Sequence, residues 1–132
     1  MERPTLVLID DDPIVATIMG KMLADCEIEF VSFTDPRKGM DFVIENRPKI
    51  VVIDFYMPDL TGQDIVIKFS ENKMFQYSSF FMITGQNLNS DDKIRYMTLG
   101  FEQFLKKPFT KEELYQAIKS VCPEFRAHAK VA

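Results

Sequence analysis

Four short apolar runs in this chain each end at or near a polar residue, and this pattern limits the folds open to it. The runs lie at 6–9, 50–53, 80–83 and 104–105. Continuous apolar runs rich in β-branched residues are typical of strands covered on both faces. Helix-length segments lie between most of the runs, and this alternation predicts a parallel sheet with helices on both faces.

The polar residues after these runs are of types that phosphoryl-transfer chemistry can use. They are two adjacent aspartates, a third aspartate, a threonine and a lysine: Asp10, Asp11, Asp54, Thr84 and Lys107. Parallel strands end at the same edge of a sheet, where open α/β sheets bind ligands, so we expect the five side chains to meet there. Three carboxylates, a hydroxyl and an ammonium predict a site that holds a divalent cation and accepts a phosphoryl group.

Helix-start signals agree with this alternation. Asp12 before Pro13 and Asp35 before Pro36 each predict an N-cap followed by proline at the first helical position. Further predicted starts are Gly62 with Gln63, Ser90 with Asp91 and Asp92, and a capping box of Thr110 with Glu113. The predicted strands are about 5–9, 28–33, 50–53, 80–83 and 103–105, the second of them at a sheet edge.

Helical spacing predicts which side chains face the core. They are Ile14, Val15, Ile18, Met19 and Met22 in the first helix, Met40, Val43 and Ile44 in the second, Ile65, Val66 and Phe69 in the third, and Leu114, Ala117, Ile118 and Val121 in the last.

Composition bounds the class of protein. The 132 residues fit one domain that can bury a core, and the net charge of -4 argues against a nucleic-acid surface, which needs clustered lysine and arginine. No apolar segment approaches the roughly 20 residues that cross a bilayer, and no signal peptide is recognisable, so we expect no membrane partner and a cytoplasmic location. Cys26 and Cys122 are expected to be free, partly buried thiols.

Four motifs together resemble the receiver domains of two-component response regulators. They are Leu8–Pro13, Asp54–Gly62, Thr84–Gly85 and Lys106–Phe109, in the order typical of that family. The resemblance implies a flavodoxin-like (βα)5 fold, a three-layer sandwich around a parallel five-stranded sheet of order 2-1-3-4-5. We place the receiver domain at 1–122 and a C-terminal tail or linker stump at 123–132.

The resemblance also implies the chemistry. Asp54 is the expected phosphoacceptor, whose carboxylate attacks phosphorus to form an acyl phosphate, while Lys107 and the Thr84 hydroxyl contact phosphoryl oxygens. The expected donor is a phosphohistidine on a sensor histidine kinase or a histidine phosphotransfer protein. The domain would catalyse its own phosphorylation and dephosphorylation as a signalling switch, not as a turnover enzyme. The sequence does not identify the output domain or target. Two alternatives stay open: the chain is a stand-alone receiver, or it is a piece of a larger protein.

The metal expected from the resemblance is Mg²⁺, for which Mn²⁺ can substitute. Asp11, Asp54 and the backbone carbonyl of Tyr56 would ligate it directly, and Asp10 would act through a bound water. Mg²⁺ usually takes only one or two carboxylates together with water and phosphate oxygens, which fits this count.

Three further positions carry expectations from the resemblance. The side chains of Tyr56 and Gln86 flank the path of the water that hydrolyses the acyl phosphate. Phe104 holds the position of a switching aromatic residue, which would link the site to the surface of the fourth helix, fifth strand and fifth helix. The Lys107–Pro108 peptide should be cis, as in other receivers.

The remaining polar residues near the motifs are expected to have structural or solvent-exposed roles. Asp12 is an N-cap, Asp59 a turn residue and Lys106 a solvated lysine. His128, the single histidine, is expected to be neither a phosphodonor nor a ligand.

Three other classes of protein share part of this pattern. A phosphatase of the haloacid dehalogenase type needs a second aspartate two residues after the nucleophile, where this chain has Tyr56. A flavodoxin needs a phosphate loop of serine, threonine and glycine after the first strand, where this chain has three aspartates that would repel an anion. A receiver-like interaction module that is never phosphorylated remains the serious alternative.

Overall fold

The computed structural model describes residues 3–58 and 60–127. Within them, five strands alternate with five α-helices, and one short 3-10 helix precedes the fourth strand. The strands are β1 Thr5–Ile9, β2 Glu29–Phe33, β3 Ile50–Asp54, β4 Ser79–Thr84 and β5 Phe101–Lys106. The helices are α1 Pro13–Leu23, α2 Pro36–Asn46, α3 Gly62–Glu71, α4 Ser90–Leu99 and α5 Lys111–Val121, and the 3-10 helix is Met74–Gln76.

All five strands pair in parallel in the order β2-β1-β3-β4-β5. This is the predicted flavodoxin-like order, with β2 at an edge as expected. In the register, Ile9 lies opposite Ile53, Asp54 opposite Ile83, and Thr84 opposite Lys106. The residues that end β1, β3, β4 and β5 therefore meet at one edge of the sheet.

The sheet separates two hydrophobic clusters, because successive strand side chains point to opposite faces. On β1, Leu6 and Leu8 belong to one cluster, with residues of α1 and α5. Val7 and Ile9 belong to the other, with residues of α2 and α3. The helices thus cover both faces, and the sheet edge between the layers is left open for the polar side chains.

Helix capping follows the prediction with one difference. Asp12 accepts a hydrogen bond from the backbone of Ile14 at 2.9 Å, and Thr110 with Glu113 closes the predicted capping box. The fourth helix differs, because Asn89 is its N-cap and Ser90 is already its first residue.

The predicted inner face of α1 was partly wrong. Val15 and Met19 are buried, but Ile14 is 64% exposed and Ile18 is 45% exposed. The buried residues of α1 are Val15, Met19 and Leu23, which follow one another at intervals of four. Ile14 and Ile18 each precede a buried residue by one position, so they lie beside the buried row on the helix surface. The apolar face of α1 is therefore wider than the surface against which it packs.

The chain remains packed on the domain after α5. Phe125 is buried in the same cluster as Leu6, the carbonyl of Arg126 accepts the Glu27 N–H at 3.0 Å, and Ala127 forms a β-bridge with Cys26. Whether the residues beyond form a linker stays a prediction, and His128 and Asp59 lie outside the described residues.

The two cysteines are free, as expected, and both are buried. No helix in the described ranges has the length and apolar character of a membrane span.

Candidate phosphoacceptor and metal site

Three carboxylates meet at the open edge of the sheet. Asp10 and Asp11 follow β1, Asp54 ends β3, and one carboxylate oxygen of each lies within 4.8 Å of the others. Asp10 and Asp54 are buried at 1% and 6% exposure, whereas Asp11 is exposed. The sequence prediction of an acidic cluster at this edge is therefore correct in its placement of all three residues.

Lys107 lies among these carboxylates. Its Nζ is 2.9 Å from Asp10 Oδ2 and 3.4 Å from Asp54 Oδ2. Its backbone N–H donates to the Thr84 carbonyl at 2.7 Å, which ties the end of β5 to the end of β4. The Lys107–Pro108 peptide is cis, as predicted. Although burial disfavours the ammonium, the two carboxylates outweigh it and raise the pKa of Lys107, so this side chain stays charged.

The electrostatics of the cluster make Asp54 harder to ionise than an ordinary aspartate. Burial, followed by the negative charge of Asp10, raises the pKa of Asp54 to about 6. The Tyr56 N–H, which donates to Asp54 Oδ1 at 3.2 Å, and the Lys107 ammonium oppose this rise without cancelling it. Metal-free Asp54 thus has a proton affinity well above that of an ordinary aspartate.

The donor set fits a hard divalent cation. Asp10 Oδ2 is buried, and its partner is the Lys107 ammonium at 2.9 Å. Three carboxylates around one ammonium leave an excess of negative charge on oxygen atoms, and this donor set is suited to Mg²⁺ or Mn²⁺, which prefer oxygen ligands. The direct contact expected from the Tyr56 carbonyl and the water-mediated role of Asp10 stay predictions.

Thr84, Gln86 and Tyr56 form a hydrogen-bonded chain beside the carboxylates. Thr84 is buried at the end of β4, and its hydroxyl oxygen accepts the Gln86 N–H at 3.1 Å. The phenol of Tyr56, which is 49% exposed, donates to the Gln86 side-chain carbonyl at 3.1 Å. This last bond joins the loop after β3 to the loop after β4, and no motif in the sequence indicates it.

Phe104 lies close to the same chain. Its ring is half-buried, with its centroid 6.5 Å from that of Phe101, and packs on the cluster that contains Val7. A cavity of about 140 Å³ between the end of β4 and β5 is lined by Thr84, Gln86 and Phe104, among others. Thr84 and Phe104 therefore line the same cavity.

The fold and this site define an α/β protein with an acidic pocket at the switch point of a doubly wound sheet. The family model of the response regulator receiver domain matches residues 6–119. The chain belongs to this family, and it is a receiver domain of the two-component response regulator type. The resemblance inferred from four motifs is thereby confirmed.

Two relatives illustrate the match. Protein PilG of Pseudomonas aeruginosa is 27% identical over 120 residues, which are 91% of this chain and 88% of PilG. Response regulator Rre1 of Synechocystis is 26% identical over 121 residues, which are 91% of this chain but 52% of Rre1. The chain thus spans most of one relative and about half the length of the other.

Solved structures agree on the fold. Chemotaxis protein CheY4 of Vibrio cholerae superposes with a TM-score of 0.80 at 21% identity, covering 89% of this chain and 98% of that one. A receiver domain protein of Clostridium thermocellum gives 0.78 at 24% identity, covering 91% and 94%.

Proposed function

We propose that this domain accepts a phosphoryl group on Asp54 from a phosphohistidine and that the modification switches its α4-β5-α5 surface. The observation that carries the proposal is the position of Asp54. Its carboxylate is buried at the sheet edge, within 4.8 Å of carboxylate oxygens of Asp10 and Asp11 and 3.4 Å from the Lys107 ammonium.

Asp10, Asp11 and Asp54 would hold the divalent cation. When bound, the cation supplies positive charge that offsets both the carboxylates and the incoming phosphoryl oxygens. The chain's own residues then perform the transfer. The Asp54 carboxylate attacks phosphorus, a P–O bond forms as the P–N bond of the phosphohistidine breaks, and the released imidazole keeps the bonding electron pair and takes up a proton.

Lys107 and Thr84 stabilise the product. The Lys107 ammonium is already within 3.4 Å of Asp54 Oδ2, so a small movement brings it to an oxygen of a phosphoryl group on that carboxylate. Among the described residues, the Thr84 hydroxyl accepts one backbone hydrogen bond, and its own proton can be donated to a phosphoryl oxygen. The Lys107 charge and the Thr84 hydroxyl together stabilise the phosphorylated form of Asp54.

Incubation with acetyl phosphate tests this function. Intact-mass measurement should find one added phosphoryl group with Mg²⁺ or Mn²⁺ present and none when EDTA removes the metal. An unmodified protein under both conditions, with its fold intact, would instead favour the non-phosphorylated interaction module.

We place the partner that delivers the phosphoryl group against α1 and the loop before α5. The exposed side chains of Ile14 and Ile18 line a groove of about 320 Å³ together with Lys107, Pro108 and Phe109. Because Lys107 lines this groove and also contacts Asp54, a protein that brings phosphohistidine to Asp54 must cover the groove. Apolar side chains at this position favour a kinase or phosphotransfer protein with a complementary apolar surface.

Substituting Ile18 by aspartate should slow phosphoryl transfer from a protein donor but not from a small-molecule donor. We expect phosphotransfer from the partner to slow by about tenfold or more, since a buried interface charge is costly. Acetyl phosphate should label the variant at the wild-type rate. Ile67→Asp, on the exposed side of α3, is the matched control and should leave both reactions unchanged. Equal slowing with both donors would contradict the docking role of α1.

Tyr56 is expected to shield the acyl phosphate. Its phenol reaches across to the Gln86 side chain, beside the acceptor carboxylate, and asparagine is too short to make this hydrogen bond. Tyr56→Asn should therefore shorten the half-life of the phosphorylated protein, by roughly two- to tenfold, a range that corresponds to about 0.4 to 1.4 kcal/mol. Tyr77→Asn, at the amino end of the sheet, should leave it unchanged. A half-life for Tyr56→Asn that is equal or longer would argue against shielding.

Phosphorylation should move Phe104 inward. When Thr84 shifts toward the phosphoryl group, the cavity beside it can admit the ring, and burial of about 50 Å² contributes roughly 1 kcal/mol at about 25 cal/mol per Å². A stable beryllofluoride mimic should change NMR chemical shifts at Phe104 and along α4. Changes confined to the loops around Asp54 would reject this coupling.

We expect this domain to act without binding nucleic acid or membrane, and in the cytoplasm. Its net charge of -4 supports the first expectation.

A further inference from the structure

Phe55, the residue directly after Asp54, is held firmly in place by the backbone around it. Its N–H donates to the Ile83 carbonyl at 3.2 Å, and its carbonyl accepts the Gly62 N–H at 2.9 Å. A Cβ at position 62 would lie 2.7 Å from the Phe55 ring and 2.9 Å from its Cα, so the two residues are in tight contact. The ring of Phe55 cannot move far unless the loop that follows Asp54 moves with it.

The fourth helix is attached much more loosely. None of its residues is buried, and Ile94 and Met97 are 62% and 56% exposed. Its inward contacts come from half-buried side chains, chiefly Tyr96 and Leu99. A helix with so few buried side chains is easily displaced, so one contact can decide its position.

One aromatic contact joins these two parts. The ring centroids of Phe55 and Tyr96 are 4.7 Å apart with an angle of 55° between the ring planes. The Phe55 ring also lies 5.3 Å from that of Tyr56 and 6.4 Å from that of Phe101 on β5. Phe55 therefore touches the acceptor loop, α4 and β5 through a single side chain.

We propose that the Phe55–Tyr96 contact is a relay that couples the loop after Asp54 to the position of α4, separately from Thr84 and Phe104. The proposal rests on the proposed role of Asp54 as acceptor. A ligand on Asp54 shifts the loop, the Phe55 ring moves with the loop, and the change in the ring contact displaces Tyr96 and with it α4. In this relay Tyr96 is a positioning residue, and because coupling is reciprocal its loss must also change the affinity of the acceptor site.

The test is a titration of the full chain with beryllofluoride in the presence of Mg²⁺, followed by NMR chemical shifts of the loop after Asp54 and of α4. In Tyr96→Ala we expect the shift changes along α4 to fall to less than half of those in the wild type, while the loop still responds. The apparent affinity for beryllofluoride should fall about threefold or more. Tyr96→Phe keeps the ring and should behave like the wild type.

Two controls make the result decisive. Tyr77→Ala removes another half-exposed tyrosine, one stacked on Arg47 and remote from the site, and should change neither readout. Phe55→Leu removes the other ring of the pair and should reproduce the effect of Tyr96→Ala. Wild-type shifts and affinity in Tyr96→Ala would overturn the relay while leaving the acceptor role intact. A wild type whose loop ignores beryllofluoride would overturn both.

Discussion

Asp54→Asn is expected to abolish phosphoryl incorporation, with residual labelling at least about 100-fold below the wild type. The amide has nearly the shape of the carboxylate and can still accept the Tyr56 N–H, so the fold should survive. It lacks the negative charge that attacks phosphorus and binds the cation. The measurement is intact mass after incubation with acetyl phosphate and Mg²⁺.

Asp41→Asn is the matched control, because Asp41 is an exposed aspartate on α2. Its labelling should equal that of the wild type. Labelling of Asp54→Asn at the wild-type level would mean that another residue is the acceptor.

Asp54→Asn should also stabilise the metal-free protein. Folding raises the pKa of Asp54 from 3.8 to about 6, so the ionised carboxylate is less stable in the fold than in the unfolded chain. Each pKa unit corresponds to about 1.4 kcal/mol, and because the variant also loses the ion pair with Lys107 we expect a net gain of about 1 to 3 kcal/mol at pH 7. Urea unfolding of wild type and Asp54→Asn in EDTA measures this difference in free energy of unfolding.

The sign of the pH dependence follows from the direction of the shift. A carboxylate with a raised folded pKa costs stability above that pKa, and the cost disappears as pH falls below the unfolded value. The gain in free energy of unfolding of Asp54→Asn over the wild type should therefore be full at pH 7, smaller at pH 5 and absent near pH 3.5. Mg²⁺ should also reduce it, since the ion stabilises the wild type by binding its folded state. An Asp54→Asn variant less stable than the wild type in EDTA at pH 7 would contradict this account of the cluster.

Much of the fold could be predicted because local signals agreed with one another. Proline after an aspartate N-cap set the start of α1, and the continuous apolar runs set β1 and β3. The strand order came from resemblance, since residue patterns alone do not specify which strands are neighbours. The exposure of Ile18 was missed because helical spacing gives the direction of a side chain, not the width of the surface that covers it.

The candidate site was predictable for a similar reason and within similar limits. Asp10 and Lys107 directly follow strands and Asp54 ends one, so a parallel sheet brings them together whatever the details of the loops. The contacts of Tyr56 with Gln86 and of Phe55 with Tyr96 join loops and a helix that are distant in sequence. Such contacts depend on loop conformation and helix position, for which the sequence carries no periodic signal.

The most direct test of the central claim is to locate the phosphoryl group. After incubation with acetyl phosphate and Mg²⁺, borohydride reduces an aspartyl phosphate to homoserine, and peptide mass spectrometry then identifies the modified position. The account predicts homoserine at position 54 alone, and none in a sample kept in EDTA. Homoserine at position 10 or 11 instead, or at no position in a folded and Mg²⁺-treated sample, would contradict it.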